Sequence, residues 1–447
     1  MDTIPRAAIV IGIVMFWIKL TERILMSTSN WSSINSLTTK AGYVPAVEET
    51  TLTAQDNLAS NYFGWSIAVD NTGSRVVVGQ INGDGSVSNS GKAIVFLRSG
   101  STWSREAILS SSNETAGGQF GVAVDIDSTG TRIIVGANYE TSSGATQGGR
   151  AYIFSRSGST WIQEKTLMAS DSGIAYERYG NSVAIDDSGT RCVVGASQGD
   201  SAGQLNIGKV YIFVRSGASW GQEALLTPPG GNSSWWFGQD VDIDGTGTRI
   251  VASALNGPYP LSEGVGGAGC AFILIRSGTS WSFEATIGSD FPYTNNQFGY
   301  SVSINTAGDY VAVSEPESAP GGTVDAGQVH IFKRTVTTWS RQAALIANDK
   351  ASGDLFGYGC SLNSNGDRVV IGAYNADVSG MTDCGKAYIF TRSGSAWTQS
   401  AILAMSSRQP SDKCQTTAIS GDGSRAFYSS VYRDYITTDT GVVGVFV

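Results

Sequence analysis

A single histidine, His330, occurs in the 447 residues of this chain. A Ser-His-Asp or Cys-His centre would have to be built on it, and no nucleophile motif lies nearby. Cations are also scarce: 29 Lys and Arg stand against 38 Asp and Glu, a net charge of −9. A phosphate backbone needs a Lys/Arg-rich face, so nucleic acid is not an expected partner. The five cysteines are Cys192, Cys270, Cys360, Cys384 and Cys414, and none forms a Cys-x-x-Cys pair. Neither a zinc site nor a full disulfide framework follows from them. Cys384 and Cys414 fall in neighbouring units, where two free thiols are expected ahead of a disulfide. Phosphate-cradling glycine loops, metal-ligand clusters and cofactor fingerprints are missing as well.

Long apolar runs are missing too. The longest, Ala7 to Ile18, has twelve residues between Arg6 and Lys19, which is short for a bilayer span and the length of a signal-peptide core. Lys19, Glu22 and Arg23 follow at once, so two other readings stand beside export: a start at Met26, or a short anchoring helix. Residues 1–25 are therefore taken as a signal, anchor or docking arm, the route for membrane or virion attachment. Residues 26–45, rich in Ser and Thr, read as a linker.

Glycine is abundant, at 56 residues, and much of it recurs on a period of about 58. An aromatic-Gly pair opens each unit at Phe63, Phe120, Tyr179, Phe237, Phe298 and Phe356, and an eroded seventh unit begins near Cys414. In the second unit, Gly121 to Ile126 alternates as a strand and Arg132 to Val135 forms a β-branched second strand. A polar loop, a Tyr-Ile-Phe strand (Arg150 to Ser155), a Ser-Gly turn and a Trp strand (Trp161 to Met168) complete it. Four antiparallel strands with no helix between them describe a propeller blade. The seventh unit stops before its Trp strand. Val47 to Asp56 aligns with the fourth-strand region of unit one, Glu49 falling on Glu106 and Leu52 on Leu109. The expected fold is all-β: a seven-bladed β-propeller over residues 46–447, its last blade closed by the N-terminal strand.

The aromatic-Gly start, the Val-x-Gly-Ala end of strand two and the Tyr-Ile-Phe of strand three resemble FG-GAP repeats, the unit of integrin α-chain propellers. The resemblance implies calcium, held in such repeats between strands one and two by several carboxylates. Here that turn has one carboxylate followed by Thr or Ser, Gly and Arg, as at Asp70-Asn71-Thr72-Gly73-Ser74-Arg75. It reads as a hairpin turn with the Arg pairing back to the Asp, so calcium is not favoured and no other cofactor is expected. Asp125 with Asp127, and Asp242 with Asp244, are the nearest approach to metal ligands.

Binding is expected on the face that carries the long, variable loops, where recognition usually sits. The candidate contacts are Tyr139, Tyr176, Trp235, Trp236, Tyr259, Phe291, Tyr293, Tyr374 and Tyr432, with Trp235-Trp236 foremost. The Trp repeated in strand four reads as seam packing, and His330 as a strand-packing replacement for tyrosine. The expected function is a non-catalytic adhesion or binding module outside the cytoplasm, on a cell or virion surface, for a glycan or protein. A structural accessory protein of a virus particle is the alternative, and a carbohydrate-active enzyme stands third.

Overall fold

The computed structural model describes residues 46–54, 59–171, 174–258, 267–290, 296–434 and 438–447. The expected features of residues 1–45 lie outside them. Seven four-stranded antiparallel sheets are arranged as blades, six of them running in chain order from the channel outward. The second blade is Val124–Ile126, Arg132–Ala137, Arg150–Ser157 and Thr160–Leu167. Among the described residues no helix is long and apolar enough to cross a membrane.

The seventh blade takes Thr417–Ile419, Ala426–Ser430 and Val442–Phe446 from the end of the chain and Glu48–Leu52 from its beginning. Leu52 faces Val443 and Thr50 faces Val445 in antiparallel register. Val47 and Val447 exchange two backbone hydrogen bonds at 3.2 and 3.0 Å. The N-terminal strand thus covers an edge whose five residues are all buried.

The aromatic-Gly pair has a physical reason at its turn. In blade two the Val122 N–H donates to the Gln119 carbonyl at 3.1 Å, closing a four-residue turn through Phe120 and Gly121. Gly121 holds φ +92, as the third residue of a type II turn requires. A Cβ there would lie 2.4 Å from the Lys92 carbonyl oxygen of the preceding blade. The Gly of Val-x-Gly-Ala meets the same constraint from the other side: a Cβ on Gly79 would lie 2.0 Å from the Gly121 carbonyl. Phe120, fully buried, then fills the seam between blades one and two, against Val77, Val95 and Tyr152. Because this turn takes the start of the unit, the regular first strand of blade two begins only at Val124.

A charged clamp ties the outer strands together. Glu106, from the fourth strand of blade one, accepts hydrogen bonds from Arg75 of its own blade (2.7 Å) and from Arg156 (2.9 Å) and Trp161 (3.2 Å) of blade two. Glu164, Glu223 and Glu284 repeat the arrangement with Trp220, Trp281 and Trp339. Glu49 completes it at the latch, taking Arg98 and Trp103 of blade one and Arg425 of blade seven. Here the sequence expectation needs correction. Arg75 does not pair back to Asp70, because the Asp70 oxygens are occupied by Ser74 N–H, Ser74 Oγ and Thr72 Oγ1. Burial alone would raise the clamp glutamate pKa values, but the Arg and Trp donors outweigh it and hold all five below the usual range.

All five cysteines are buried and free. His330, paired with Glu315 at 2.8 Å and packed on Phe298, is likewise enclosed, at 1% exposure.

Candidate functional site

Antiparallel strands send the second-to-third and fourth-to-first connections to the same end of every blade, so one face carries the long loops. The central channel opens on that face as a cavity of about 360 Å³. The residue after each aromatic-Gly pair lines it: Trp65, Val122, Asn181, Gln239, Tyr300 and Tyr358, with Gln415 from the eroded unit. The residue before each pair is also held in place. Tyr62, Gln119, Arg178, Trp236, Gln297, Leu355 and Lys413 all have φ between 53 and 59. Glycine would suit that conformation best, yet every unit keeps a large side chain there. The turn that makes the repeat therefore brackets itself with two side chains that do not repeat.

These positions divide the mouth into two halves. Blades five, six, seven and one contribute an arc of rings. Tyr300 lies 4.6 Å from Tyr358, which stacks on Tyr374 at 4.3 Å, and Tyr374 hydrogen-bonds to Tyr432. Tyr432 then meets Tyr62 at 5.7 Å, and Tyr62 meets Trp65 at 6.3 Å. A side cavity of about 380 Å³ adjoins Tyr374 and Tyr432, but Lys413 already sits 5.5 Å over the Tyr374 ring, paired to Asp383. Blades two to four contribute the polar half, with Asn138, Arg178, Asn181 and Gln239. Asn181 is committed to structure, donating to the Gly238 and Gln239 carbonyls and accepting from Ser197 N–H.

Toward the opposite face the channel continues as a cavity of about 270 Å³ lined by Asp125, Asp240 and Asp242. Each carboxylate accepts a backbone N–H from the next blade's innermost strand: Ile185 at 2.7 Å, Val302 at 2.8 Å and Ile304 at 2.8 Å. Burial pushes Asp240 up to about 6 and Asp242 up to about 7, and raises Asp125 with help from the charge of Asp242. A carboxyl raised in the fold stabilises it in acid and loses that contribution as pH climbs through the folded value. The lowered clamp glutamates act oppositely, losing theirs as pH falls below about 4. Thermal stability is expected to peak between about pH 4.5 and 6. Melting temperature against pH checks this, and Asp242→Asn should flatten the decline above the peak.

Of the sequence candidates, Tyr374 and Tyr432 join the arc, and Tyr139 lies beneath Arg178 with its ring 5.1 Å from the guanidinium. Tyr176 is 56% exposed and does not line the mouth. Trp235 packs against the core between blades three and four, while Trp236 is half-buried at the same turn position as Arg178. Tyr259, Phe291 and Tyr293 lie outside the described residues. Sequence reasoning missed Trp65, Tyr300, Tyr358, Asn138 and Arg178. The available signal was variation at two fixed positions beside the least variable pair of the unit.

The FG-GAP repeat family matches residues 46–96, 103–154, 161–213 and 339–390. Seven blades close the ring, and the four matches fall within it. The chain is a propeller that carries FG-GAP repeats. No curated protein matches it. Three matches begin on the Trp strand and the first begins just before Glu48–Leu52, so the FG-GAP repeat frame runs one strand out of phase with the blades. The calcium that such repeats imply does not fit these turns. The Asp127 and Asp244 oxygens are held by Thr131 and Thr248 through N–H and O–H groups. Neutral Asn305 and Asn363 make the corresponding backbone bonds in blades five and six. Among the described residues no group of His, Cys, Asp or Glu is arranged to hold a metal.

Proposed function

We propose that this propeller is a non-catalytic recognition module, displayed on a cell or virion surface, that receives a glycan at the channel mouth. The observation that carries this reading is the aromatic arc from Tyr300 to Trp65, built at the positions of the repeat that vary. Flat rings stack on the apolar faces of sugars, and a rigid scaffold presents them without an ordering cost. The mouth adds amide and guanidinium groups opposite the rings, which suits the hydroxyls of the same ligand. Since the ring closes at Glu48, residues 1–45 are left for attachment to a membrane or particle.

Screening the chain on a glycan array, followed by titration of the hits, tests the reading. Tyr300→Ala with Tyr358→Ala is expected to weaken binding at least about ten-fold, since aromatic contacts of this kind contribute about 1–3 kcal/mol each. Melting should shift by only a few degrees, because both rings are half-buried. Unchanged binding in the double variant removes the arc from recognition, and release of shorter products from any hit refutes a non-catalytic role.

A further inference from the structure

Arg178 is set apart from the other described arginines. Each of those directs its guanidinium to a carboxylate or a carbonyl: Arg75, Arg156 and their equivalents to clamp glutamates, Arg105 to Ala54, Arg368 to Gly423, Arg392 to Gly366, Arg408 to Met405. The Arg178 guanidinium has no hydrogen-bond or ion-pair partner, and its Nε is buried without one. It lines the channel mouth, supported from below by the Tyr139 ring. Lys413 holds the same turn position four blades on and differs in this respect, being neutralised by Asp383 at 3.1 Å. An uncompensated, partly desolvated cation is costly in a protein of net charge −9 whose other buried cations are paired.

A second observation falls at the same place. Asn138 directly follows the second strand of blade two, next to Tyr139, and lines the same cavity. It is 6% exposed, and its Oδ1 is buried with no partner. Two unfulfilled polar groups on adjacent blades thus border one cavity, and a cavity of about 360 Å³ is at the small end for a ligand site. We infer that Arg178 binds the carboxylate of an acidic sugar, that Asn138 Oδ1 accepts from one of its hydroxyls, and that its ring rests on the aromatic wall of Trp65, Tyr300 and Tyr358. The inference rests on the glycan reading above and names the class of glycan. Guanidinium and carboxylate match in bidentate geometry, and the buried Asn138 Oδ1 is an acceptor that a sugar hydroxyl satisfies.

A peptide carboxylate is the less suitable occupant. Peptides that add to a sheet need free backbone donors, and five innermost-strand N–H groups of blades three, five and six are already taken. Ile185, Val302 and Ile304 donate to aspartates, and Cys360 and Leu362 donate to Ser301 and Ser303. Asp240 also borders the mouth, and its oxygens are engaged by Val241 and Val302 N–H groups. Among the residues lining that mouth, Arg178 is the one cation.

Titration calorimetry with the full chain decides it, using trigalacturonate, its neutral methyl ester, sialyllactose, lactose and hexaglutamate. Wild type is expected to bind trigalacturonate or sialyllactose about ten- to hundred-fold more tightly than the neutral counterpart. Whichever pair shows the preference identifies uronate or sialate as the source. Arg178→Asn, a residue that tolerates the left-handed backbone, should abolish the preference and bring charged and neutral sugars to equal affinity. Arg178→Lys should retain part of it, and Asn138→Ala should weaken charged and neutral sugars alike, with circular dichroism and melting confirming that all three are folded. Equal affinity for charged and neutral sugars, or a preference surviving in Arg178→Asn, overturns the carboxylate site and leaves the glycan reading standing. Hexaglutamate bound as tightly as the charged sugars overturns the saccharide assignment. Failure of all four saccharides to bind overturns both.

Discussion

Deleting residues 46–54 is expected to yield aggregated protein, whereas deleting residues 1–45 is expected to leave a monomeric propeller of unchanged melting temperature. The short deletion removes one strand of five residues, but three things go with it. The Val442–Phe446 edge loses its partner, and its sequence, VVGVF, is apolar and β-branched, the kind of segment that pairs with other chains once exposed. Leu52 and Ala54 leave the core shared with Phe63, Ile94 and Val443. Glu49 leaves Arg98, Arg425 and Trp103 without their common acceptor. A ring differs from an open array here, because the loss falls on both faces of one seam and opens the closure that holds the other six. Size-exclusion chromatography with light scattering on the two deletions is the measurement. A monomeric, cooperatively melting product from the shorter deletion would refute the latch.

The latch was legible because Glu49 and Leu52 could be aligned with Glu106 and Leu109, residues whose environment recurs around the ring. Repetition is what made the fold readable: Phe120 and Gly121 have counterparts at five other starts, so the needs of one turn appear as a column. The pairing of Arg75 was not legible. Asp70 and Arg75 are close in sequence, but alternation along the second strand turns the Arg away while the turn's own hydroxyls and N–H groups saturate the Asp. The mouth was hidden for a related reason. Loops display their variation openly, while Trp65, Tyr300 and Tyr358 vary within a strand pattern and read as ordinary β residues. Only closure of the ring places those positions around one opening. Arg178 could not be singled out at all, since its distinction is the lack of a partner and partners are three-dimensional.

Replacing Glu106 by Ala is expected to lower stability by about 3–5 kcal/mol, the usual cost of removing one member of a buried ion pair. The loss is large because Glu106 serves three donors across the seam between blades one and two, and its side chain is 6% exposed. Arg75, 8% exposed, would be left with only the Gly130 carbonyl. Glu106→Gln keeps an acceptor for Trp161 but not the charge. The seam between blades five and six shows how a neutral version is built. There Gln342 replaces the glutamate and accepts from Trp397 at 3.0 Å, while Tyr310 occupies the position of Arg75. Arg392, released from a carboxylate, donates to the Gly366 carbonyl and lies 4.4 Å over the Tyr310 ring. Both charges of the original pair were exchanged together, so nothing buried is left unbalanced. Glu106→Gln alone should therefore cost nearly as much as Glu106→Ala, and Arg75→Tyr with Glu106→Gln should recover much of the loss by recreating that seam. Denaturation midpoints for the three variants give the answer through the coupling between the sites. Additive losses in the double variant would mean that the clamp glutamates act singly, and that the blade-five seam holds for some other reason than its paired exchange.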